Sequence, residues 1–222
     1  MATTRMSRPY RLGRREESAR RTRETILEAA ADLLAAAGFR GVTIEAVARN
    51  AGVSRVTVYD HFQHKAGLLE ALAWWTFARL DIDRVRRARL GENVRAALVD
   101  FVRENARLFD AAEPRGRAIL KTASSDPDAA AVLQITYFDG RRAAITELVE
   151  RLDRSHELAP EWLPERAVDA LMIITSLEAF ETLTDHGRLE LEAAAAVLGQ
   201  MATALLRDDV ARIDEADIGP NR

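Results

Sequence analysis

The chain has 222 residues, 48% of them apolar, with a net charge of −3 and no cysteine. That composition supports a sizeable core and excludes disulfides, thiolate metal sites and thiol catalysis; no apolar run is long enough for a membrane span and the start lacks the apolar segment of a signal peptide, so a cytoplasmic protein is expected. The charge is unevenly spread: residues 1–65 hold 12 Lys+Arg against 7 Asp+Glu while the remainder is acidic, which points to a polyanion partner for the first part alone.

Residues 1–19 carry Arg5, Arg8, Arg11, Arg14 and Arg15 without apolar periodicity and are expected to form a flexible basic arm. A helix is predicted from about Arg20 to Ala37, with Ile26, Leu27, Ala30, Leu33, Leu34 and Ala37 on one face. Gly38-Phe39-Arg40-Gly41 ends it in a turn. Thr43 is a good N-cap for the next helix, whose inward face is Ile44, Val47, Ala48 and Ala51. Gly52 supplies the freedom a tight turn needs. Ser54 caps a further short helix in which Val58 and Phe62, at i and i+4, point inward. Two short helices joined by a glycine turn form a helix-turn-helix, which reads DNA by laying its second helix in the major groove.

Beyond this point helix formers dominate and strand-like alternation is absent. Gly91, Pro114 with Gly116, Pro127, Pro160 with Pro164, and Gly187 divide the chain. Helices are expected at roughly 65–88, 92–111, 115–123, 128–157, 164–186 and 189–208, followed by a charged tail over 209–222. The expected class is all-α: a three-helix DNA-binding domain over 20–66 and a larger helical domain over 67–208.

The second short helix carries an unusual set of donors. Ser54 stands where free backbone N–H groups favour a phosphate. Arg55 can bond a guanine edge bidentately, and Val56 can meet a thymine methyl. Thr57, Tyr59 and His61 offer groups suited to phosphate oxygens, as does Thr43 at the head of the preceding helix. Lys65 adds positive charge at the positive end of the next helix, an unfavourable place in isolation that suggests a nearby anion. Only Lys65 and Lys121 are lysine among 32 basic residues.

On these residues the region from about Arg23 to Leu72 resembles the DNA-binding domain of TetR-family transcriptional regulators. The likeness lies in ILEAAADLLAAAGF, in GVTIEAVARNAGVS, and in VTVYDHFQHKAGLLEAL. The family's T-x-Y-x-H-F ending and its lysine heading the fourth helix stand here as Thr57, Tyr59, His61, Phe62 and Lys65. The resemblance implies phosphate contacts for Thr43, Thr57, Tyr59, His61 and Lys65, and base-edge contacts for Arg55 and Val56. Asp60 departs from the pattern, since many members place an aromatic or basic group there. An acidic group repels phosphate or accepts from a cytosine amino group, and the two alternatives stay open.

The resemblance also implies a C-terminal domain that dimerises and holds a ligand, and SLEAFETLTDHGRLELEAAAAVLGQMATALL is similar in organisation to the family's last two helices. Independently, Ala170–Phe180 is apolar nearly all around a helix, as expected of one buried against its own core and a partner. The following helix carries Leu191, Ala194, Ala195, Leu198, Met201 and Leu205 as a stripe. A homodimer through the last two long helices is therefore expected. Candidate ligand-lining residues are Trp74, Phe77, Phe101, Phe109, Tyr137 and Phe138; few charges interrupt the apolar faces, so the expected effector is a small, mostly apolar molecule.

The expected function is a ligand-released repressor on a palindromic double-stranded DNA operator. A non-specific DNA-binding protein is the alternative, disfavoured by the acidic body. An all-α enzyme is the more distant one, since only 4 His are present and no phosphate loop, nucleophile elbow or cofactor motif stands out.

Overall fold

The computed structural model describes residues 9–112, 114–125, 130–131 and 133–208. Its elements in chain order are α1 (Pro9–Gly41), α2 (Ile44–Ala51), α3 (Arg55–Phe62), α4 (Lys65–Phe77), α5 (Ile82–Arg89), α6 (Val94–Ala111), α7 (Pro114–Ser125), a π-helical turn (Gln134–Phe138), α8 (Asp139–Arg154), α9 (Pro164–Ile174), α10 (Leu177–Glu181), a second π-helical turn (Thr182–His186) and α11 (Leu191–Thr203). Among the described residues there is no strand, only an isolated antiparallel bridge between Leu158 and Leu206. None of these helices is long and apolar enough to cross a membrane. Arg5 and Arg8 of the expected arm and the expected tail at 209–222 lie outside the described residues.

The chain divides into two compact units. The first runs to Thr76 and takes in Pro114–Leu133; the second holds Phe77–Glu113 and the chain from Gln134 onward. In the first unit α1 begins at Pro9, not near Arg20. Residues 17–24 carry ion pairs one turn apart, Arg21 to Glu17 at 2.6 Å and Arg20 to Glu24 at 3.7 Å. Pairs of that spacing support a helix without burial. Further along, Ile26, Leu27, Ala30 and Leu34 are buried as expected, joined by Ala29 and Ala31. Leu33 is half-buried and Ala37 is exposed, so the apolar face stops short of the helix end. Gly38, at φ 64°, breaks the helical path there.

Val47 and Ala48 of α2 and Val58 and Phe62 of α3 turn inward, while Ile44 and Ala51 are half-buried. The helix α7, expected within the second domain, belongs to the first unit and packs on α1, burying Ile119 and Leu120. Gly52 closes α2 in the left-handed region at φ 67° and ψ 28°, with its N–H directed to the carbonyls of Ala48 and Arg49. A Cβ at Gly52 meets nothing within 4 Å. Gly52→Ala should therefore cost only backbone strain, about 1–2 kcal/mol. Thermal melts should show that loss, with Gly52→Asn recovering part of it because asparagine tolerates this conformation. An alanine variant as stable as wild type would contradict the left-handed turn.

The second unit is built around one cluster: Leu98, Phe101 and Val102 of α6, Ile145, Leu148 and Leu152 of α8, Ala167, Val168 and Leu171 of α9, and Leu198 and Ala202 of α11. Several expected helices are divided in it. Asp81 caps α5 through Arg84 N at 3.2 Å, separating α5 from α4. At the far end of α5, Arg151 of α8 donates to the carbonyls of Arg89 and Gly91. The expected helix 164–186 stops at Ile174, restarts at Leu177 and ends in a π turn. Two hydroxyls cause the break: Thr175 Oγ1 donates to Leu171 O at 2.7 Å, and Ser176 Oγ accepts from Ala179 N at 3.1 Å. Such side chains offer the backbone an alternative to the helix ladder.

Candidate nucleic-acid interface

The α2–α3 segment is set by local chemistry at each end. Thr43 has extended backbone (φ −110°, ψ 152°), and its Oγ1 accepts from Ala46 N at 3.1 Å. Ser54 repeats the device on α3, accepting from Thr57 N at 3.0 Å, with its hydroxyl 2.8 Å from Thr57 Oγ1. Each cap satisfies an orphan amide that the first turn leaves over. With Val58 and Phe62 buried beneath, α3 presents its remaining residues outward. Val56 is 66% and Tyr59 50% exposed. Arg55 and Asp60 are exposed, and Thr57 and His61 half-buried.

Two cations hold the ends of this segment. Arg23 of α1 donates from Nη1 to His61 O at 3.0 Å, and its guanidinium lies 4.5 Å from the centre of the Phe62 ring. It thereby satisfies a last-turn carbonyl of α3 at the negative end of the helix dipole. Lys65 donates from Nζ to Phe39 O at 3.2 Å, over the Phe39 ring at 3.8 Å. The lysine at a helix head, read from sequence as a sign of a nearby anion, thus has an internal carbonyl and ring to offset its placement. His64 is a capping group: its Nδ1 accepts from Gly67 N at 2.9 Å and starts α4. Arg55 Nη1 meets Glu45 Oε1 of α2 at 2.5 Å. Sequence reading passed over Arg23 and Glu45, because their partners lie 38 and 10 residues away.

All eight sequence-predicted DNA contacts therefore fall within α3, the N-caps of α2 and α3, and the head of α4. Thr43, Ser54, Arg55, Val56 and Tyr59 are exposed, and Thr57, His61 and Lys65 half-buried.

The six candidate ligand-lining aromatics fare differently. Trp74 belongs to the first unit and is 55% exposed, which separates it from the set. In the second unit Phe77 stacks on Tyr137 at 5.2 Å between ring centres, and Tyr137 meets Phe138 edge-on at 5.1 Å. Phe109 instead pairs with Phe180 at 6.2 Å, and Phe101 lies in the core cluster. Sequence reading missed Arg141, which donates from Nη2 to Met172 O and to Thr175 Oγ1, each at 2.7 Å, with its guanidinium 6.0 Å from the centre of the Tyr137 ring. Burial pushes the Arg141 guanidinium below its usual range and the Tyr137 phenol above its own.

On α9, Ala167, Val168, Leu171 and Ile174 face the core while Ile173 is 68% exposed. On α11, Ala194, Ala195 and Leu198 of the expected stripe are buried and Met201 is 53% exposed. Leu205 is buried beyond the helix end.

A family model described as bacterial regulatory proteins, tetR family, matches residues 26–72. A Mycobacterium tuberculosis protein named as the mycofactocin biosynthesis transcriptional regulator MftR is 30% identical over 179 residues, 77% of this chain and 82% of the relative. The Escherichia coli tetracycline repressor of class D is 39% identical over 61 residues, 28% of each chain. Among solved structures, NalD, the secondary repressor of the MexAB-OprM multidrug efflux pump in Pseudomonas aeruginosa, superposes with a TM-score of 0.69 at 25% identity, over 87% of this chain and 99% of that one.

Proposed function

Because this chain belongs to the tetR family of DNA-binding transcriptional regulators, which are not enzymes, we propose that it is a repressor released from a palindromic operator by a small, mostly apolar ligand. The observation that carries the reading is the outward row on α3: Arg55, Val56 and Tyr59 exposed on a helix capped at Ser54 and pinned from below by Val58 and Phe62. Arg55 and Val56 address base edges. Thr43, Ser54, Thr57, Tyr59, His61 and Lys65 address phosphates and fix the register. For Lys65 this means leaving or sharing the Phe39 carbonyl on binding.

Exposed Ile173 and Met201 support a homodimer through α9 and α11. Such a dimer sets two α3 helices in successive major grooves, about 34 Å apart or somewhat more. The Phe77–Tyr137–Phe138 group supports an apolar effector, with Arg141 beside it as a polar anchor. Release requires the effector to bind the freed state better than the DNA-bound one.

Selection from a random-sequence duplex library tests the reading. The wild-type chain should enrich an inverted repeat. Arg55→Ala should relax one position per half-site at a cost of about 1–3 kcal/mol. Tyr59→Phe should weaken all sequences alike. An unchanged base preference in Arg55→Ala would remove its assigned role, and a Tyr59→Phe loss confined to one base pair would remove the phosphate role.

A further inference from the structure

We propose that Glu45 decides how Arg55 is used: its carboxylate holds the guanidinium as a reader of a base edge and keeps it off the phosphate backbone. The inference rests on the DNA-reading function above and adds a specificity-determining residue to it. Arg55 Nη1 and Glu45 Oε1 are 2.5 Å apart. Glu45 lies in the first turn of α2 and Arg55 is the first residue of α3, so the pair bridges the Gly52 turn. Both side chains are largely exposed, and an ion pair of that kind adds little to stability. The fold gains little from it.

The surroundings of Arg55 make it a poor base reader when left alone. It stands at the positive end of the α3 dipole, which a cation avoids. Its stem is long, and the nearest strong negative field on a duplex is the phosphate backbone. Glu45 changes both terms. It offsets the unfavourable dipole, and it takes one edge of a rigid five-donor fork through Nη1. The remaining donors still suit the paired O6 and N7 acceptors of guanine. A phosphate approaching Arg55 must also approach the Glu45 carboxylate, and like charges repel at that range. A guanine edge carries no net charge and meets no such repulsion. The pair as a whole is neutral, so it orients without adding non-specific pull.

The test uses the full chain as wild type, E45Q, E45D and R55A, each put through selection from a random-sequence duplex library. Each variant is then titrated with the selected duplex and with an alternating dA-dT duplex over a salt series. E45Q should lose preference, by about 10-fold or more, at the base pair where R55A loses it. Freed for phosphate, Arg55 should also tighten binding to the dA-dT duplex and steepen the slope of log K against log salt by about 1. E45D should keep the wild-type preference, and the melting curve of E45Q should overlay that of wild type. An E45Q variant with the wild-type preference and salt slope overturns the inference. So does one whose lost preference comes with a lost melting transition, which marks a merely structural role. A wild-type chain that enriches no sequence overturns the DNA-reading function itself, and this inference with it.

Discussion

A chain carrying Ile173→Arg and Met201→Arg together is expected to be a folded monomer that binds the selected inverted repeat at least about 100-fold more weakly than wild type. The size of the effect follows from two terms. Each exposed side chain, on covering by a partner, contributes about 1.5–3 kcal/mol, and the symmetry of a dimer places both residues twice in the interface. Arginine at these positions instead sets like charges against each other across the two-fold axis and charges the cost of their desolvation. Once the dimer is lost, each half-site is bound alone, and the effective concentration that links the two readers disappears; that linkage is typically worth 10²–10⁴ in affinity. Ile173 and Met201 lie on the solvent side of α9 and α11, away from the core made by Leu171 and Leu198, so the fold should survive. Light scattering reads the mass and a titration on whole and half operators reads the affinity. A double variant that remains a dimer places the interface elsewhere.

Phe62→Ala should remove the first unit's cooperative melting and abolish DNA binding. Phe62 is buried at the last turn of α3 with the Arg23 guanidinium 4.5 Å from its ring centre. Truncating a buried phenylalanine costs about 3–5 kcal/mol in transfer and cavity terms, a large share of what a small unit has in total. Arg23 also loses the ring that sets it on the His61 carbonyl, so the negative end of α3 is left to water. Phe62→Leu keeps most of the apolar volume and removes only the ring. It should retain a melting transition at lower temperature and bind DNA weakly. Circular dichroism melts of both variants, beside a duplex titration, separate the effects. A wild-type melt for Phe62→Ala would mean that α3 is not anchored through this residue.

What the sequence made legible is what is decided within a few residues. Thr43, Gly52 and Ser54 act through bonds spanning three or four positions, and each is where the pattern put it. Val58 and Phe62 follow from helical spacing alone. The start of α1 escaped because the sequence before Arg20 lacks apolar periodicity. The break at Thr175 and Ser176 escaped because their hydroxyls outcompete a helix that the apolar run favours. The place of α7 on α1 is a tertiary choice that no local pattern encodes. In the site, Arg23 and Glu45 stayed hidden for the same reason, and so did Arg141, whose partners Met172 and Thr175 lie 31 and 34 residues away. The aromatic group was legible only as composition; which rings of the second unit meet required the fold.

The π turn at Gln134–Phe138 runs straight into α8. A π turn is an α-helix carrying one surplus residue in a single turn. Neighbours Tyr137 and Phe138 meet edge-on within it. Deleting one residue there should restore ordinary winding and turn the residues of Gln134–Phe138 by about 100° relative to α8. Chain length is therefore a second alphabet at this position. Insertions and deletions, as well as substitutions, can rewrite which ring lies beside Phe77 and Arg141.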